Sequence, residues 1–84
     1  MTAIKRQDIQ SQVINTIADI TDRIPSDLNE QTNLLHDLDL DSLALFEIVI
    51  DLEAAYDLRI SDEEIENLRT IGEIVSFIAR RLDQ

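Results

Sequence analysis

The fold of this chain is decided by the stretch Leu34–Glu53, which reads LLHDLDLDSLALFEIVIDLE. The first part, up to Asp41, alternates leucines with aspartates and has no sustained helical period. The second part carries apolar residues at steps of three and four, the spacing of one face of an α-helix. The sequence therefore predicts a helix from Ser42 to about Tyr56, and it places a serine where an acidic loop becomes that helix. The predicted inner stripe of this second helix is Leu45, Val49, Leu52 and Tyr56.

A first helix is predicted upstream of this loop, from about residue 6 to residue 23, by the same spacing of apolar residues. Pro25 ends it, because the residue before a proline is pushed away from helical dihedral angles. Residues 26–41 then form a long ordered loop, which leucines anchor to the core. The predicted inner face of the first helix is Ile9, Val13, Ile17, Ile20 and Ile24, and the loop anchors are Leu28, Leu34, Leu35 and Leu38.

Two more helices are predicted from capping boxes, in which a serine or threonine and a glutamate three residues later each bond the other's backbone amide. Ser61-Asp62-Glu63-Glu64 opens a short third helix that ends near Leu68, and Thr70-Ile71-Gly72-Glu73 opens a last helix that continues to Leu82. The elements predict an all-α fold, a four-helix bundle with a long loop between helices 1 and 2 and a short third helix. Residues 1–84 are expected to form a single domain.

The net charge of the chain is −11, and the acids are concentrated in its middle. Residues 26–66 hold 13 of the 18 acidic residues and a single base, Arg59. This distribution disfavours nucleic acid as a partner and favours basic protein surfaces, although acids also keep a small domain soluble. The sequence predicts no membrane span, since no apolar run approaches 18 residues. With no cysteine and no signal region, the protein is expected to be cytoplasmic and a monomer.

Ser42 has three possible roles when its neighbours are considered alone. It could be a plain helix N-cap, a position that serine fills well. It could be a hydrolase nucleophile, but the only histidine is His36 and no glycine stands near to shape a nucleophile turn. It could also receive a phosphate-linked group, which the free amides and partial positive charge of a helix N-terminus favour.

A calcium loop is a further alternative for the aspartates at positions 37, 39 and 41. An EF-hand loop needs glycine at its sixth position and glutamate at its twelfth, where this chain has Ser42 and Ile48. We therefore expect no dedicated metal site.

These residues resemble the attachment motif of the acyl carrier proteins, Leu-Gly-x-Asp-Ser-Leu, followed by a helix with Glu-Leu/Ile-Val and then Leu-Glu. The corresponding residues are Leu38–Leu43, Glu47-Ile48-Val49 and Leu52-Glu53, and the later Tyr56-Asp57, Ile60-Ser61 and Asp62-Glu63-Glu64 are similar to the family's next segment. The resemblance covers about residues 9–82. Asp39 stands at the motif's glycine position, and Ala44 and Ala54 stand where acids are common. These departures favour a specialised carrier over the housekeeping fatty-acid carrier.

The resemblance implies that Ser42 carries a covalent 4′-phosphopantetheine arm, attached from coenzyme A by a phosphopantetheinyl transferase that uses Mg²⁺. The arm would carry acyl groups as thioesters, and the protein itself would catalyse nothing. Its partners would be acyl-transferring, condensing or acyl-activating enzymes of fatty-acid, polyketide or related biosynthesis. An aminoacyl or peptidyl carrier, and a non-covalent acidic helical interaction module, are the alternative functions.

The second helix is also predicted to carry the surface that partners recognise. An apolar strip on its flank would be edged by carboxylates, so partners should offer a shallow apolar groove bordered by Lys and Arg. The alternative is that Phe46 and Ile50 are ordinary core residues. The predicted recognition residues are Asp41, Leu43, Phe46, Glu47, Ile50, Asp51 and Glu53.

The resemblance also implies that acyl chains can enter between the helices. Bulky Ile65 and Ile74 stand where the family often has smaller residues, so we expect a small or closed cavity in the unacylated protein. The residues predicted to line it are Val49, Leu52, Ile60, Ile65, Leu68, Ile74 and Phe77.

Overall fold

The computed structural model describes residues 5–82, and residues 1–4 and 83–84 of the predicted domain lie outside this range. The described elements are α1 (Arg6–Thr21), a 3₁₀ turn (Pro25–Asp27), α2 (Ser42–Tyr56), α3 (Asp62–Glu66) and α4 (Ile71–Leu82). The predicted all-α architecture is confirmed, with the long loop and the short third helix in their predicted places. No helix within the described range is long and apolar enough to cross a membrane.

The bundle is organised around α1, which packs against both α2 and α4. The carboxylate of Asp8 at the start of α1 acts on the hydroxyl of Tyr56 at the end of α2, so these two helix ends lie near each other. Burial is the main reason that the pKa of Tyr56 is raised above its usual 10.0, and Asp8 adds to that rise.

The core consists of aliphatic side chains from all four helices and from the loop. The inner faces predicted for α1 and α2 are largely confirmed, with Val13, Ile17 and Leu52 fully buried. Ile48 is also fully buried, although the predicted inner stripe of α2 omitted it. It lies three residues after Leu45 and four before Leu52, so the helical period contained the signal.

Two apolar residues predicted to be inside are exposed instead. α1 ends at Thr21, two residues earlier than predicted, because Asp22 adopts a left-handed conformation with φ of 59°. The chain leaves the helical path there, and Ile24 is 63% exposed. Leu35, predicted to anchor the loop, is 47% exposed, whereas Leu28, Leu34 and Leu38 are buried as predicted.

Both predicted capping boxes are present. The Ser61 hydroxyl accepts a hydrogen bond from the Glu64 amide, and the Glu64 carboxylate accepts one from the Ser61 amide. Thr70 and Glu73 make the same reciprocal pair at the start of α4. α3 ends at Glu66, earlier than the predicted Leu68, although the side chain of Leu68 is still buried in the core.

Arg81 attaches α3 to the end of α4. Its guanidinium donates to the carboxylate of Glu64 and to the carbonyl oxygen of Arg59 at 2.9 Å, and it lies 4.8 Å from the ring centroid of Phe77. The Ser61 amide and then the Arg81 guanidinium hold the pKa of Glu64 below its usual 4.5.

The ion pair predicts a specific pH dependence. A carboxyl group whose pKa is lowered by folding stabilises the fold at pH values above its ordinary pKa. This stabilisation is lost as the pH falls through the pKa of the folded state. Glu64→Gln should therefore have a lower melting temperature than wild type at pH 7, and the difference should shrink toward pH 3. Glu66→Gln on the same helix is the control for losing one charge. A difference for Glu64→Gln that is the same at both pH values would contradict this explanation.

Gly72, the only glycine, is required by a close approach between α4 and the loop. Its amide donates to the carbonyl oxygen of Glu30 at 2.9 Å, and a Cβ at this position would lie 2.9 Å from that same backbone oxygen. Alanine normally stabilises a helix relative to glycine, but here the loop would have to move.

Gly72→Ala should lower the free energy of unfolding by about 1–2 kcal/mol, because overpacking outweighs the gain in helix propensity. Ala54→Gly on the exposed side of α2 measures the propensity effect without a close neighbour. Urea denaturation of both variants gives the comparison, and a Gly72→Ala protein more stable than wild type would refute the proposed clash.

Candidate functional site

Ser42 is the first residue of α2, and its side chain is exposed. Asp41 precedes it as the N-cap, since its Oδ1 accepts a hydrogen bond from the Ala44 amide at 2.9 Å and its carbonyl oxygen accepts one from Leu45 at 3.1 Å. The alternative in which Ser42 itself caps the helix is therefore wrong. Within residues 5–82 the Ser42 hydroxyl makes no hydrogen bond, and it lies open to solvent.

The loop before α2 is fixed by Asn33. The side-chain oxygen of Asn33 accepts hydrogen bonds from the amides of Leu35 at 3.0 Å and His36 at 2.9 Å. The Asn33 amide donates to the Asp37 carboxylate at 2.8 Å, and the Asp37 amide donates back to the Asn33 carbonyl oxygen at 2.8 Å. Local side-chain bonds of this kind replace the regular hydrogen bonds that a loop lacks.

The same loop is tied to the rest of the bundle. The Leu34 amide donates to the Arg69 carbonyl oxygen at 2.8 Å, and the Ile71 amide donates to the Thr32 carbonyl oxygen at 3.1 Å. The loop is therefore joined to the start of α4. The Leu40 amide then donates to the Leu34 carbonyl oxygen at 3.2 Å. This last bond closes the segment from Leu34 to Leu40 on itself, two residues before the serine.

Asp39 adopts a left-handed backbone conformation, with φ of 52°. Glycine occupies such positions without strain, whereas other L-residues pay a cost that is smaller for Asp and Asn. Asp39 makes a turn between buried Leu38 and half-buried Leu40 in a conformation that glycine adopts without strain. It also adds an exposed carboxylate three residues before the serine.

The apolar strip of the predicted recognition surface lies at the protein surface. Leu43 is 69% exposed, Phe46 39% and Ile50 59%, so the alternative in which Phe46 and Ile50 are core residues is wrong. Glu47 and Asp51 are exposed beside them. The strip extends along α2 from the serine, and carboxylates border it.

Two predicted recognition carboxylates also have structural roles. Asp41 caps α2, as described above. Glu53 is half-buried, and its Oε2 accepts a hydrogen bond from the Ile60 amide at 2.7 Å, which fixes the connection between α2 and α3. The contact spans seven residues, so no helical spacing in the sequence pointed to it.

The grooves beside the bundle are lined mainly by surface residues. One groove, of about 590 Å³, lies between α1 and Asp51 of α2, and another, of about 530 Å³, lies beside α3 and α4. Of the residues predicted to line a cavity for the acyl chain, Leu68 and Phe77 border the second groove. Val49 and Ile74 belong to the same predicted set, but they are only 2% and 1% exposed. Among residues 5–82, no group of three or more His, Asp or Glu side chains is arranged to hold a metal ion.

The geometry defines a class of protein before any relative is considered. A small helical bundle presents the exposed Ser42 hydroxyl at the start of a capped helix, beside an apolar strip with an acidic border. Such a surface is suited to presenting an attached group to other proteins.

Comparison with known proteins identifies the family. Residues 11–78 match the family model described as phosphopantetheine attachment site. The chain belongs to this family of acyl carrier proteins, whose members carry acyl groups on a 4′-phosphopantetheine arm.

The relatives cover nearly the whole chain. The meromycolate extension acyl carrier protein of Mycobacterium leprae is 32% identical over 78 residues, 93% of this chain and 68% of that protein. The acyl carrier protein of Acidothermus cellulolyticus is 32% identical over 77 residues, 92% of each chain. The solved structure of the acyl carrier protein from Enterococcus faecalis superposes with a TM-score of 0.78 at 30% identity, covering 92% of this chain and 98% of that one.

The left-handed conformation of Asp39 predicts how this position tolerates substitution. Asp39→Val should lower the free energy of unfolding by about 1–2 kcal/mol, because a β-branched residue is strained at positive φ. Asp39→Asn removes the charge but tolerates the same conformation, so it should stay within about 0.5 kcal/mol of wild type. Denaturant unfolding measures both, and equal stabilities for the two variants would show that the backbone is not left-handed here.

Proposed function

We propose that the Ser42 hydroxyl is the attachment point of the 4′-phosphopantetheine arm. Two observations support this assignment. The hydroxyl is exposed and without a hydrogen bond in the described part of the chain, and Ser42 is the serine that aligns with the attachment motif. Its position at the first turn of α2 adds free backbone amides, which favour a phosphate on that oxygen.

The attachment reaction forms a bond between the Ser42 Oγ and the phosphorus of the pantetheine phosphate in coenzyme A. The pyrophosphate P–O bond breaks, adenosine 3′,5′-bisphosphate leaves, and the serine proton passes to a base of the transferase. The Asp39 and Asp41 carboxylates are exposed close to the serine in sequence, where they could help to hold the Mg²⁺ that this enzyme brings.

The arm supplies a thiol, which the chain lacks, since it contains no cysteine. Held at Ser42, the arm would supply the thiol chemistry for carrying an acyl group. The chain itself contributes position. Tethering raises the concentration of the acyl group near a docked enzyme without any catalytic residue in the carrier. We therefore assign it no enzymatic activity of its own.

The proposed docking surface is the apolar strip of Leu43, Phe46 and Ile50, together with Glu47 and Asp51. Charged partners of opposite sign would be steered toward it and oriented by it. Asp41 and Glu53 belong to the same surface, although each carboxylate also bonds a backbone amide. The matching partners are acyl-transferring, condensing or acyl-activating enzymes with basic docking surfaces.

The carrier would act as a monomer in the cytoplasm, where coenzyme A is available as the source of the arm. The alanines at positions 44 and 54 leave α2 less acidic than the motif's usual form, which favours a specialised acyl or aminoacyl pathway. A purely non-covalent acidic module would use the same bundle and the same charge. The two differ in whether Ser42 is modified.

Intact mass spectrometry tests the attachment. Incubation with coenzyme A, Mg²⁺ and a broad-specificity phosphopantetheinyl transferase should add one arm to the wild type and none to Ser42→Ala. Ser26→Ala, at another exposed serine, should be loaded like the wild type. A wild type that gains no arm would refute the carrier function, and a loaded Ser42→Ala protein would refute the choice of serine.

A further inference from the structure

Leu35 is an exposed leucine that the loop holds rigidly at the surface. Its neighbour Leu34 is fully buried, and its own amide is bonded to the Asn33 side chain, so its backbone has little freedom to fold inward. An exposed large apolar side chain on a fixed backbone is available to a partner without an ordering cost. Asp37, Asp39 and Asp41 follow it in the loop and are exposed.

Leu35 lies near the serine and outside the strip on α2. The bond between the Leu40 amide and the Leu34 carbonyl oxygen, 3.2 Å long, limits the separation of the Leu35 and Ser42 Cα atoms to about 15 Å. Ile50, at the far end of the strip, is about 12 Å from Ser42 along the helix axis. Exposed apolar side chains of both the loop and α2 therefore lie within about 15 Å of the serine.

Enzymes that act at the two ends of the arm must approach different atoms of the carrier. An enzyme that makes a bond to the Ser42 Oγ must bring its reacting atoms to about 3–3.5 Å from that oxygen. A standard interface covers about 800 Å² per partner, a disc of about 16 Å radius, and one centred on Ser42 reaches Leu35. An enzyme that acts on the thiol at the arm's other end can dock along α2 alone.

We infer that Leu35 is a contact for the enzyme that reacts with the Ser42 oxygen, the phosphopantetheinyl transferase, and not for enzymes that react at the thiol. This inference rests on the proposed attachment at Ser42. The matching transferase surface is a shallow apolar hollow beside its active site, with Lys or Arg around it to face the loop aspartates. Enzymes that act on the acyl group would then contact α2, and the transferase would contact both α2 and the loop.

The test compares Leu35→Gln with Leu35→Met, two exposed substitutions of which only the second keeps an apolar contact. The value of kcat/KM for loading of the variant carrier should fall about fivefold for Leu35→Gln and stay near wild type for Leu35→Met. Both variants are then loaded to completion with excess transferase, and acylation of the arm's thiol by an acyltransferase is measured. That second rate should be unchanged for both, whereas Ile50→Gln should slow it.

The outcomes separate the two proposals. If the wild type is not loaded, the attachment at Ser42 fails. If the wild type and Leu35→Gln are loaded equally fast, only the role of Leu35 fails. A Leu35→Gln protein that is slow in both reactions would show that Leu35 is a general docking residue, which overturns the selectivity inferred here. Unchanged melting temperatures exclude a loss of fold as the cause.

Discussion

Asn33 bonds the residues that follow it in the loop before α2, and the position of the serine depends on this arrangement. The segment after Asn33 forms no regular helix or strand before α2, so its backbone groups must be satisfied in other ways. The Asn33 side chain serves two amides, Asp37 closes the turn, and Leu34 joins it to Arg69. The buried side chains of Leu34 and Leu38 then hold this hydrogen-bonded turn against the core. Ser42 follows directly from that turn and is presented outward at the start of a capped helix.

The same chain shows how an acidic carrier can manage almost without glycine. All three positive-φ residues in the described range are aspartates, at the ends of α1 and α2 and in the turn before the serine. Aspartate tolerates this conformation better than most residues, and it adds negative charge at the same time. The one glycine is used at Gly72, where a backbone oxygen leaves no space for a side chain. The same aspartates therefore adopt the left-handed backbone conformation and supply negative charge. The acidic surface proposed for partner recognition thus extends into the turns.

Much of the architecture followed from the sequence because it depends on local rules. The start of α2, both capping boxes and the inner faces of the helices come from spacing and from bonds three or four residues apart. The residues whose burial or contacts were predicted wrongly depend on contacts between distant parts of the sequence, or on where the chain leaves a helix. Ile24 kept the period of α1, but a left-handed Asp22 turned the chain two residues earlier. Leu35 could not be distinguished from Leu34, because the bonds of Asn33 and the bond from Leu34 to Arg69 fix which leucine faces inward. Glu53 and Arg81 have partners that the sequence could not reveal, on the connection between α2 and α3. Within the candidate site, the exposure of Ser42 and the strip was foreseen, and the capping role of Asp41 was not.

Amide hydrogen exchange in the folded protein tests most directly whether the loop holds the serine in a fixed position. The amides of Leu34, Leu40 and Ile71 donate to loop or loop-to-helix acceptors, so they should exchange far more slowly than in an unfolded chain. The amides of Ser42 and Leu43 have no acceptor within residues 5–82, and they should exchange quickly. Fast exchange at Leu34 and Leu40 would show that the serine is displayed on a flexible segment, and would contradict the fixed turn on which the proposed recognition of Ser42 depends.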